Sequence, residues 1–121
     1  MTIRVGINGF GRIGRLTMRA IFGAPDVQIV QINDAAGDAA TLAHLLNFDS
    51  VHGRWQHEAL HLNETMLIGT QQVPCSQNST IAQTDWSGCD LVIEASGKFK
   101  TKASLQAYLD QGVKRVVVTA P

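Results

Sequence analysis

Apolar residues recur along the chain with two periods, one typical of strands and one typical of helices. Ile3, Val5 and Ile7 alternate with other residues, which predicts a first strand, and residues 27–32 (VQIVQI) predict a second. The run between them has a helical period. We expect one apolar face of this helix to carry Ile13, Leu16, Thr17 and Ala20. The chain therefore opens with a strand, a helix and a strand.

Two further helices are predicted from residues that can cap their first turns. Asp38 can cap a helix whose apolar stripe consists of Leu42, Leu45 and Leu46. Thr101 can cap another helix, and Gly112 suits its C-terminal end. The second of these helices carries Leu105, Tyr108 and Leu109.

The remaining apolar runs predict strands of two kinds. Residues 90–94 (DLVIE) are nearly continuously apolar, which is typical of a strand covered on both faces, and residues 115–119 (RVVVT) predict the last strand. Between residues 55 and 75 the period is two, which indicates short antiparallel strands. Pro74 has no N–H, so we expect the last of them to be an edge strand or to end there. The whole pattern predicts one α/β domain over residues 1–121, a Rossmann-type, doubly wound, mainly parallel sheet with a small antiparallel excursion.

A glycine-rich turn joins the first strand to the first helix. Residues 9–14 read GFGRIG, and Asp34 follows the second strand, twenty positions after Gly14. This arrangement is the fingerprint of dinucleotide binding: Gly9 permits a tight turn, Gly11 lets the backbone approach a pyrophosphate, and Gly14 lets the helix pack closely. The free N–H groups of the helix that begins near Arg12 would face the phosphates. Glycine turns also occur in α/β folds that bind no dinucleotide, and Asp34 favours the dinucleotide interpretation.

Polar residues stand at the ends of four predicted strands: Asn8, Asp34, Ser96 and Thr119. Parallel α/β sheets bind their ligands outside the carboxyl ends of the strands, where the winding reverses. We therefore expect these four residues to line one crevice.

The composition excludes several kinds of partner. Lys plus Arg and Asp plus Glu both number 10, so the formal net charge is zero. Without a broad positive surface, we expect neither nucleic acid nor an anionic membrane as a partner. No signal-peptide pattern opens the chain and no apolar stretch approaches a membrane span, so we expect a cytoplasmic protein.

The cysteines and histidines predict neither a nucleophile nor a metal site. Cys75 and Cys89 are not spaced as a CxxC pair, and we expect both to be reduced and packed in the interior. His57 and His61 would share a face of a helix and suggest a metal, but the surrounding pattern favours exposed strand histidines. We interpret His52 as a loop or hydrogen-bonding residue and not as a catalytic base.

Two other charged features have a structural and a functional interpretation. Glu94 ends an apolar strand, where a buried carboxyl with a raised pKa is possible, although a paired or partly solvated structural acid fits the pattern better. Lys98, Lys100 and Lys102 could form an anion-binding patch, but alternating lysines before a helix favour a solvated face.

Five segments occur in an order and spacing that resemble a known family. Their sequences are GINGFGRIGR (residues 6–15), IND (32–34), FDSVHGR (48–54), EASG (94–97) and TAP (119–121). Together they resemble the N-terminal part of the glyceraldehyde-3-phosphate dehydrogenases. The resemblance implies a phosphorylating aldehyde dehydrogenase that uses NAD: a thiol attacks the aldehyde, hydride passes to nicotinamide, and phosphate cleaves the thioester. It also implies a cytoplasmic, glycolytic enzyme that assembles as a homotetramer.

The resemblance also implies where NAD binds. Arg12 and Ile13 would lie at the pyrophosphate and Asp34 at the adenosine ribose, while Ser96 would border the nicotinamide half. Ser79 stands where the family usually has an arginine near the adenine, so weaker contacts are expected there. The full set of cofactor-binding candidates is Asn8, Gly9, Phe10, Gly11, Arg12, Ile13, Gly14, Asn33, Asp34, Ser79, Ser96, Gly97 and Thr119.

The family's catalytic cysteine, catalytic histidine and phosphate-binding residues would all follow residue 121. We therefore predict no catalytic residue and no metal ligand within this chain, expect the substrate to bind the missing catalytic part, and expect the chain alone to be inactive. Residues 38–49 and 96–98 resemble a branch associated with arsenate resistance, in which arsenate replaces phosphate; erythrose-4-phosphate dehydrogenases share part of this likeness. The alternatives are a non-catalytic NAD- or nucleotide-binding module from a truncated gene product, and an RNA-binding use of the crevice, which the zero charge disfavours.

Overall fold

The structure of the chain is a computed structural model that describes residues 2–49 and 53–119. Its α-helices are α1 (Arg12–Ile21), α2 (Ala39–Asn47) and α3 (Lys102–Asp110). Its strands are β1 (Ile3–Asn8), β2 (Val27–Asn33), β3 (Phe48–Asp49), β4 (Gly53–Arg54), β5 (Ala59–Leu62), β6 (Thr65–Ile68), β7 (Gln71–Ser76), β8 (Leu91–Glu94) and β9 (Arg115–Val118). A short 3₁₀ turn, Ile81–Gln83, lies between β7 and β8.

Seven strands form one sheet in the order β5-β6-β7-β2-β1-β8-β9, while β3 and β4 form a separate pair. β1 is parallel to β2 on one side and to β8 on the other, and β9 continues the sheet beside β8. β5, β6 and β7 are antiparallel to one another. Because the chain leaves β1 for β2 on one side and reaches β8 on the other, the winding reverses at β1. This topology confirms the predicted Rossmann-type fold and its antiparallel excursion.

The two faces of β1 are covered by different cores. Val5 and Ile7 lie in one core with apolar side chains of α1, α2 and the antiparallel strands. Gly6 lies between them and faces the opposite side of the sheet, as the two-residue period of a strand requires. A β-carbon on Gly6 would lie 2.7 Å from the Cys89 sulfur and 2.8 Å from the Trp86 ring. The second core therefore packs directly on the backbone of β1.

The predicted caps of α2 and α3 are confirmed. The Asp38 carboxylate accepts a hydrogen bond of 2.9 Å from the Thr41 N–H. The Thr101 hydroxyl accepts one of 3.1 Å from the Ser104 N–H. Gly112 has a positive φ of 94° just beyond α3, as expected for a glycine that ends a helix. Within residues 2–49 and 53–119, the structure contains no helix with the length and apolar character needed to cross a bilayer.

The buried face of α1 differs from the predicted one. Gly14 and Met18 are the buried residues of this helix. The residues predicted to share its apolar face are half-buried or exposed: Ile13, Leu16, Thr17 and Ala20. A β-carbon on Gly14 would overlap the Gly9 carbonyl, so the helix touches the preceding turn at this position. Positions 14 and 18 consequently face the core one turn apart, and Ile13 is left 48% exposed.

The prediction that Pro74 marks an edge or an end was wrong. β7 continues to Ser76 and lies inside the sheet, where Cys75 and Ser76 pair with β2. The Cys75 N–H donates to the Glu64 carbonyl on the β6 side of the strand. Because successive N–H groups of a strand point in opposite directions, the Pro74 nitrogen points away from β6. Its missing N–H therefore costs no bond to β6, and the pairing with β2 begins only at the next residue.

Candidate nucleotide-binding site

A crevice of about 250 Å³ lies at the carboxyl ends of β1, β2 and β8, where the winding of the sheet reverses. One wall comes from the segment after β8 and another from the segment after β7. The floor comes from the end of β1 and the glycine turn. The residues that line the crevice are Asn8, Gly9, Gly11, Asn33, Asp34, Ala35, Ala36, Asn78, Ser79, Ala95, Ser96, Lys98 and Phe99.

Gly9, in the floor of the crevice, contacts the wall after β8 and is hydrogen-bonded to the end of β2. Its φ is +96°, a conformation that side chains rarely adopt. A β-carbon there would overlap the backbone of Ala95 and Ser96, and the Gly9 N–H donates to the Asn33 carbonyl at 2.8 Å. The turn after β1 is therefore in direct contact with the segment after β8 and bonded to the end of β2.

Gly11 and Gly14 have different surroundings, although both belong to the same motif. Gly11 is exposed, has a φ of −72° and has nothing within 4 Å of the position of a β-carbon. Gly14 is buried against the Gly9 carbonyl. Gly11 therefore leaves room for a ligand, whereas Gly14 serves the packing of α1 on the turn.

The N-terminus of α1 opens beside this glycine turn. Gly11 is the N-cap, and among residues 2–49 and 53–119 no side chain caps the first turn, which contains no acidic residue. The exposed N–H groups and the positive end of the helix dipole are suited to an anion.

The Asp34 carboxylate is held by backbone groups on both of its oxygens. One oxygen accepts a hydrogen bond of 2.6 Å from the Phe10 N–H, within the glycine turn. The other accepts one of 2.8 Å from the Ala36 N–H. Each carboxylate oxygen can accept more than one hydrogen bond, so capacity remains for a ligand hydroxyl group. The carboxylate is consequently fixed in position relative to the start of α1.

Glu94 lies beneath the crevice and is only 1% exposed. One of its oxygens accepts hydrogen bonds from Asn8 Nδ2 at 2.8 Å and from the Tyr108 hydroxyl at 2.5 Å. The other accepts from the Ser96 N–H at 2.9 Å and from the Ser96 hydroxyl at 2.5 Å. Burial, together with the hydrogen bond to Glu94, raises the pKa of the Tyr108 hydroxyl far above its usual value. Of the two structural alternatives that the sequence favoured, Glu94 is thus the paired acid and not the partly solvated one.

Asn33 continues this hydrogen-bond network toward the other wall. Its side-chain amide donates to Asn8 Oδ1 at 2.9 Å and to the Asn78 carbonyl at 3.0 Å. Its side-chain oxygen accepts from the Asn78 N–H at 2.9 Å and from the Ser76 hydroxyl at 2.7 Å. The ends of β1, β2, β7 and β8 are therefore joined beneath the crevice by buried polar side chains.

The structure brings most, but not all, of the sequence candidates to the crevice. Seven of them are lining residues, and six of these lie at the ends of β1, β2 and β8 or in the glycine turn: Asn8, Gly9, Gly11, Asn33, Asp34 and Ser96. Ser79 also lines it, on the wall after β7. Arg12 and Ile13 are exposed on the first turn of α1, next to Gly11 rather than in the crevice. The Phe10 side chain is buried in the core, and only its N–H reaches the site.

Thr119 is not among the residues that line the crevice, and its place beside the nicotinamide half stays a prediction. Thr119 follows β9 at the edge of the sheet, and its N–H donates to the Glu94 carbonyl at 3.1 Å. β8 therefore separates it from β1 and the glycine turn. Gly97 is exposed, with a φ of +77°, in the turn between the lining residues Ser96 and Lys98.

The thiols of Cys75 and Cys89 are buried, and their pKa values are raised. Burial raises the pKa of the Cys75 thiol to about 11, and burial likewise raises the pKa of Cys89 to about 11. Since the thiolate is the nucleophilic form, neither cysteine is activated at neutral pH. Both are free of disulfide bonds, which confirms that they are reduced, packed thiols.

The histidines have separate environments. His61 is exposed on β5, as predicted, but His57 is half-buried outside the strands. The centroid of its ring lies 4.8 Å from that of Trp55 and 5.2 Å from that of Phe22, both in edge-to-face geometry. The prediction that His57 is an exposed strand residue was therefore wrong. His52 lies outside the described residues. No group of three or more potential ligands that could hold a metal ion occurs in the described part of the chain.

Several lining or supporting residues were not found from the sequence. Tyr108 is spaced as an ordinary apolar residue of α3, and its hydroxyl group was the only indication of a polar partner. Asn78 and Phe99 carry no motif of their own, and Lys98 was interpreted as part of a solvated face. Their roles depend on the paths of the segments after β7 and β8, which no local pattern specifies.

Comparison with known sequences decides the family. The sequence model described as the NAD-binding domain of glyceraldehyde 3-phosphate dehydrogenase matches residues 3–102 of this chain. The chain belongs to the glyceraldehyde-3-phosphate dehydrogenase family. The matched residues include β1, the glycine turn, Asp34 and the segment through Ser96, so they contain every residue that lines the crevice.

Relatives in this family match the chain over its whole length. Glyceraldehyde-3-phosphate dehydrogenase 3 of Nostoc sp. is 47% identical over 123 residues, and the enzyme of Cereibacter sphaeroides is 45% identical over 123 residues. The enzyme of Geobacillus stearothermophilus is 38% identical over the same length. Each alignment covers 100% of this chain but only 36–37% of the relative. The chain therefore corresponds to the NAD-binding portion of the family and spans little more than a third of its relatives' length, which confirms the resemblance and identifies NAD as the cofactor of the matched domain.

Proposed function

We propose that this chain binds NAD in the crevice and serves as the NAD-binding portion of a phosphorylating glyceraldehyde-3-phosphate dehydrogenase-like oxidoreductase. The observation that carries the proposal is the bond between the Asp34 carboxylate and the Phe10 N–H. This hydrogen bond connects a carboxylate that can accept hydrogen bonds from ribose hydroxyls to the turn that leads into α1, whose first turn has no side-chain cap. A ribose site and a phosphate site are thus held at a fixed separation.

The surrounding residues suit a dinucleotide. Gly11 has open space where a β-carbon would stand, so the backbone is accessible to a pyrophosphate. We assign the pyrophosphate to the glycine turn and the first turn of α1, which includes Gly9, Arg12, Ile13 and Gly14. We assign the adenosine half to Asn33, Asp34 and Ser79, and the nicotinamide half to the side of Asn8, Ser96, Gly97 and Thr119. When bound, NAD supplies a hydride acceptor at its nicotinamide ring.

Replacing Asp34 with alanine should weaken NAD binding more than tenfold. The substitution removes hydrogen bonds from ribose hydroxyls to a carboxylate, and such bonds contribute about 1.5–3 kcal/mol each. The parent chain should also bind NADP more weakly than NAD, because a 2′-phosphate would place a second anion beside Asp34. Ala35 and Ala36 follow Asp34, so no arginine is present there to receive that phosphate. Isothermal titration calorimetry of both nucleotides measures the two effects.

Asp110→Ala provides the matched control. It also removes one carboxylate, but from the exposed end of α3, where Asp110 accepts a bond from Gln106. NAD affinity should be unchanged in this variant. Equal or tighter binding of NADP by the parent, or an unaltered NAD affinity in Asp34→Ala, would contradict the assignment of the ribose to Asp34.

For the whole protein, we propose oxidation of a small phosphorylated aldehyde, with phosphate or arsenate as the acceptor and with the substrate bound outside this chain. Cytoplasmic location and assembly into a homotetramer are part of the same proposal. One relative of this family, from Chlamydomonas reinhardtii, is 40% identical and is named as cytosolic. The second candidate is a non-catalytic NAD-binding module, with which the raised pKa of both thiols is compatible. The coding sequence downstream of residue 121 separates the candidates, because only the enzyme requires a further segment with a nucleophilic cysteine.

The purified 121-residue chain should not form NADH from glyceraldehyde-3-phosphate with either acceptor. Hydride transfer from an aldehyde first requires a thiolate adduct, and both thiols of this chain have a pKa near 11. Absorbance at the NADH band, followed in phosphate and in arsenate, provides the measurement. NADH formation that disappears in Cys75→Ser or Cys89→Ser would show that a catalytic thiol lies within this chain.

A further inference from the structure

Every hydrogen bond to the Glu94 carboxylate within the described part of the chain comes from a donor that Glu94 accepts. Asn8 Nδ2 and the Tyr108 hydroxyl donate hydrogen bonds to one oxygen, and the N–H and hydroxyl of Ser96 donate to the other. The side chain at this position must therefore accept at both ends. Only a carboxylate among the natural side chains offers two acceptor oxygens and no donor.

The two oxygens of Glu94 serve different parts of the molecule. The first is bonded to β1 and α3, which are fixed in the sheet and its second core. The second is bonded only to Ser96, whose hydroxyl in turn accepts the Lys98 N–H at 3.2 Å. Ser96 and Lys98 are crevice residues. Glu94 thus connects a rigid region to one wall of the crevice.

The opposite wall is tied to the same network. Asn8 accepts a hydrogen bond from Asn33, and Asn33 is bonded to the backbone of Asn78. Asn78 and Ser79 line the crevice on that side. The connection from Ser96 through Glu94, Asn8 and Asn33 to Asn78 is continuous, so the spacing of the two walls depends on the acceptor at its centre.

We propose that Glu94 is a positioning residue: by holding Ser96, it sets the crevice wall that receives the part of NAD beyond the adenosine diphosphate. The inference rests on the proposed function, because it takes Asp34 and the start of α1 as the adenosine diphosphate site. With that half anchored there, the remaining half of the dinucleotide extends to the wall formed by Ser96 and Lys98. Glu94 touches no ligand in this assignment and acts only through Ser96.

Glu94→Gln tests the role with a change of a single atom. A glutamine places an oxygen at one of the two positions and an amide NH₂ group at the other. Whichever way it is oriented, the NH₂ group faces a donor, either Asn8 Nδ2 or the Ser96 N–H, and that hydrogen bond is lost. We expect NAD affinity to fall at least tenfold and ADP affinity to change less than threefold, both measured by calorimetry on the 121-residue chain. A variant that merely loosens the fold would lose both ligands to the same degree, so the ratio of the two affinities isolates positioning.

Tyr108→Phe is the matched control. It removes one donor from the same carboxylate, but from the oxygen that does not face Ser96. The ratio of NAD to ADP affinity should stay within threefold of the parent. A double variant, Glu94→Gln with Ser96→Ala, should lose less of this ratio than the two single variants lose together, because both changes break the same connection.

Hydrogen exchange on the parent chain gives a measurement that does not depend on a folded variant. NAD should slow amide exchange in residues 95–99, and ADP should leave it within twofold of the free chain. Equal losses of NAD and ADP in Glu94→Gln, an unchanged ratio, or identical exchange with both ligands would overturn the role of Glu94 while leaving NAD binding established. A parent chain that binds neither ligand would overturn the proposed function and this inference together.

Discussion

Gly11→Val should eliminate detectable NAD binding while leaving the stability of the chain close to that of the parent. Gly11 is exposed, its φ of −72° is accessible to any residue, and nothing lies within 4 Å of its potential β-carbon. The valine side chain would project into the space assigned to the pyrophosphate. Calorimetry with NAD and urea denaturation of the same sample measure the two quantities.

Gly14→Val should have the opposite pattern of effects. Its β-carbon would overlap the Gly9 carbonyl, so α1 must move away from the turn before any side chain fits. Overpacking of this kind costs about 1–3 kcal/mol or more, and the free energy of unfolding should fall accordingly. Undiminished NAD binding in Gly11→Val, or equal stability of the two variants, would show that the roles of the two glycines are misassigned.

Trp86→Ala should produce the largest loss of stability among the substitutions considered. Trp86 is fully buried, and its Nε1 donates to the Ile81 carbonyl at 3.2 Å. The centroid of its ring lies 5.6 Å from that of Tyr108 in edge-to-face geometry. Removing a buried aromatic side chain typically costs about 3–5 kcal/mol. Urea denaturation of the parent and the variant gives the difference in the free energy of unfolding.

Leu109→Ala is the comparison for this substitution. Leu109 belongs to the same helix as Tyr108 but is 48% exposed. The loss should be well under half of that for Trp86→Ala, because less apolar surface is withdrawn from water at this position. Similar losses in both variants would mean that the second core contributes no more than the exposed face of α3.

The sequence predicted the parallel part of the fold because local patterns determine it. Alternation in β1, the continuous apolar run of β8 and the capping residues Asp38 and Thr101 all act within a few neighbouring positions. The glycine turn and Asp34 were found for the same reason. The order of the strands follows from their connections and from the general rules of α/β sheets.

The errors arose where distant contacts overrule local patterns. The position of Pro74 is tolerated because its nitrogen faces away from β6, which depends on the register between two strands. The orientation of α1 is set by the contact between Gly14 and Gly9, not by its apolar stripe. His57 is covered by Phe22, which lies far from it in the sequence.

The polar network could not be predicted from the sequence for a similar reason. Asn8 and Glu94 are 86 positions apart, and Asn8 and Tyr108 are 100 apart. A glutamate at the end of an apolar strand indicates a buried acid but not its partners. Only the pairing of β1 with β8 places the donors around it.

The pairing of β1 with β8 also has a consequence for the synthesis of the chain. β1 is translated before β2 and β8, so its pairing with β2 can form early, whereas its other edge waits for residues 91–94. At about 5–20 residues per second, the ribosome needs on the order of 4 to 17 seconds to make the 86 residues that follow Asn8 up to and including Glu94. During this interval, the apolar β1 has one edge open to association with other nascent chains. The nucleotide can be bound only after β8 has paired with this edge. The floor of the crevice follows β1 and is translated before the interval, whereas one wall follows β8 and is translated after it.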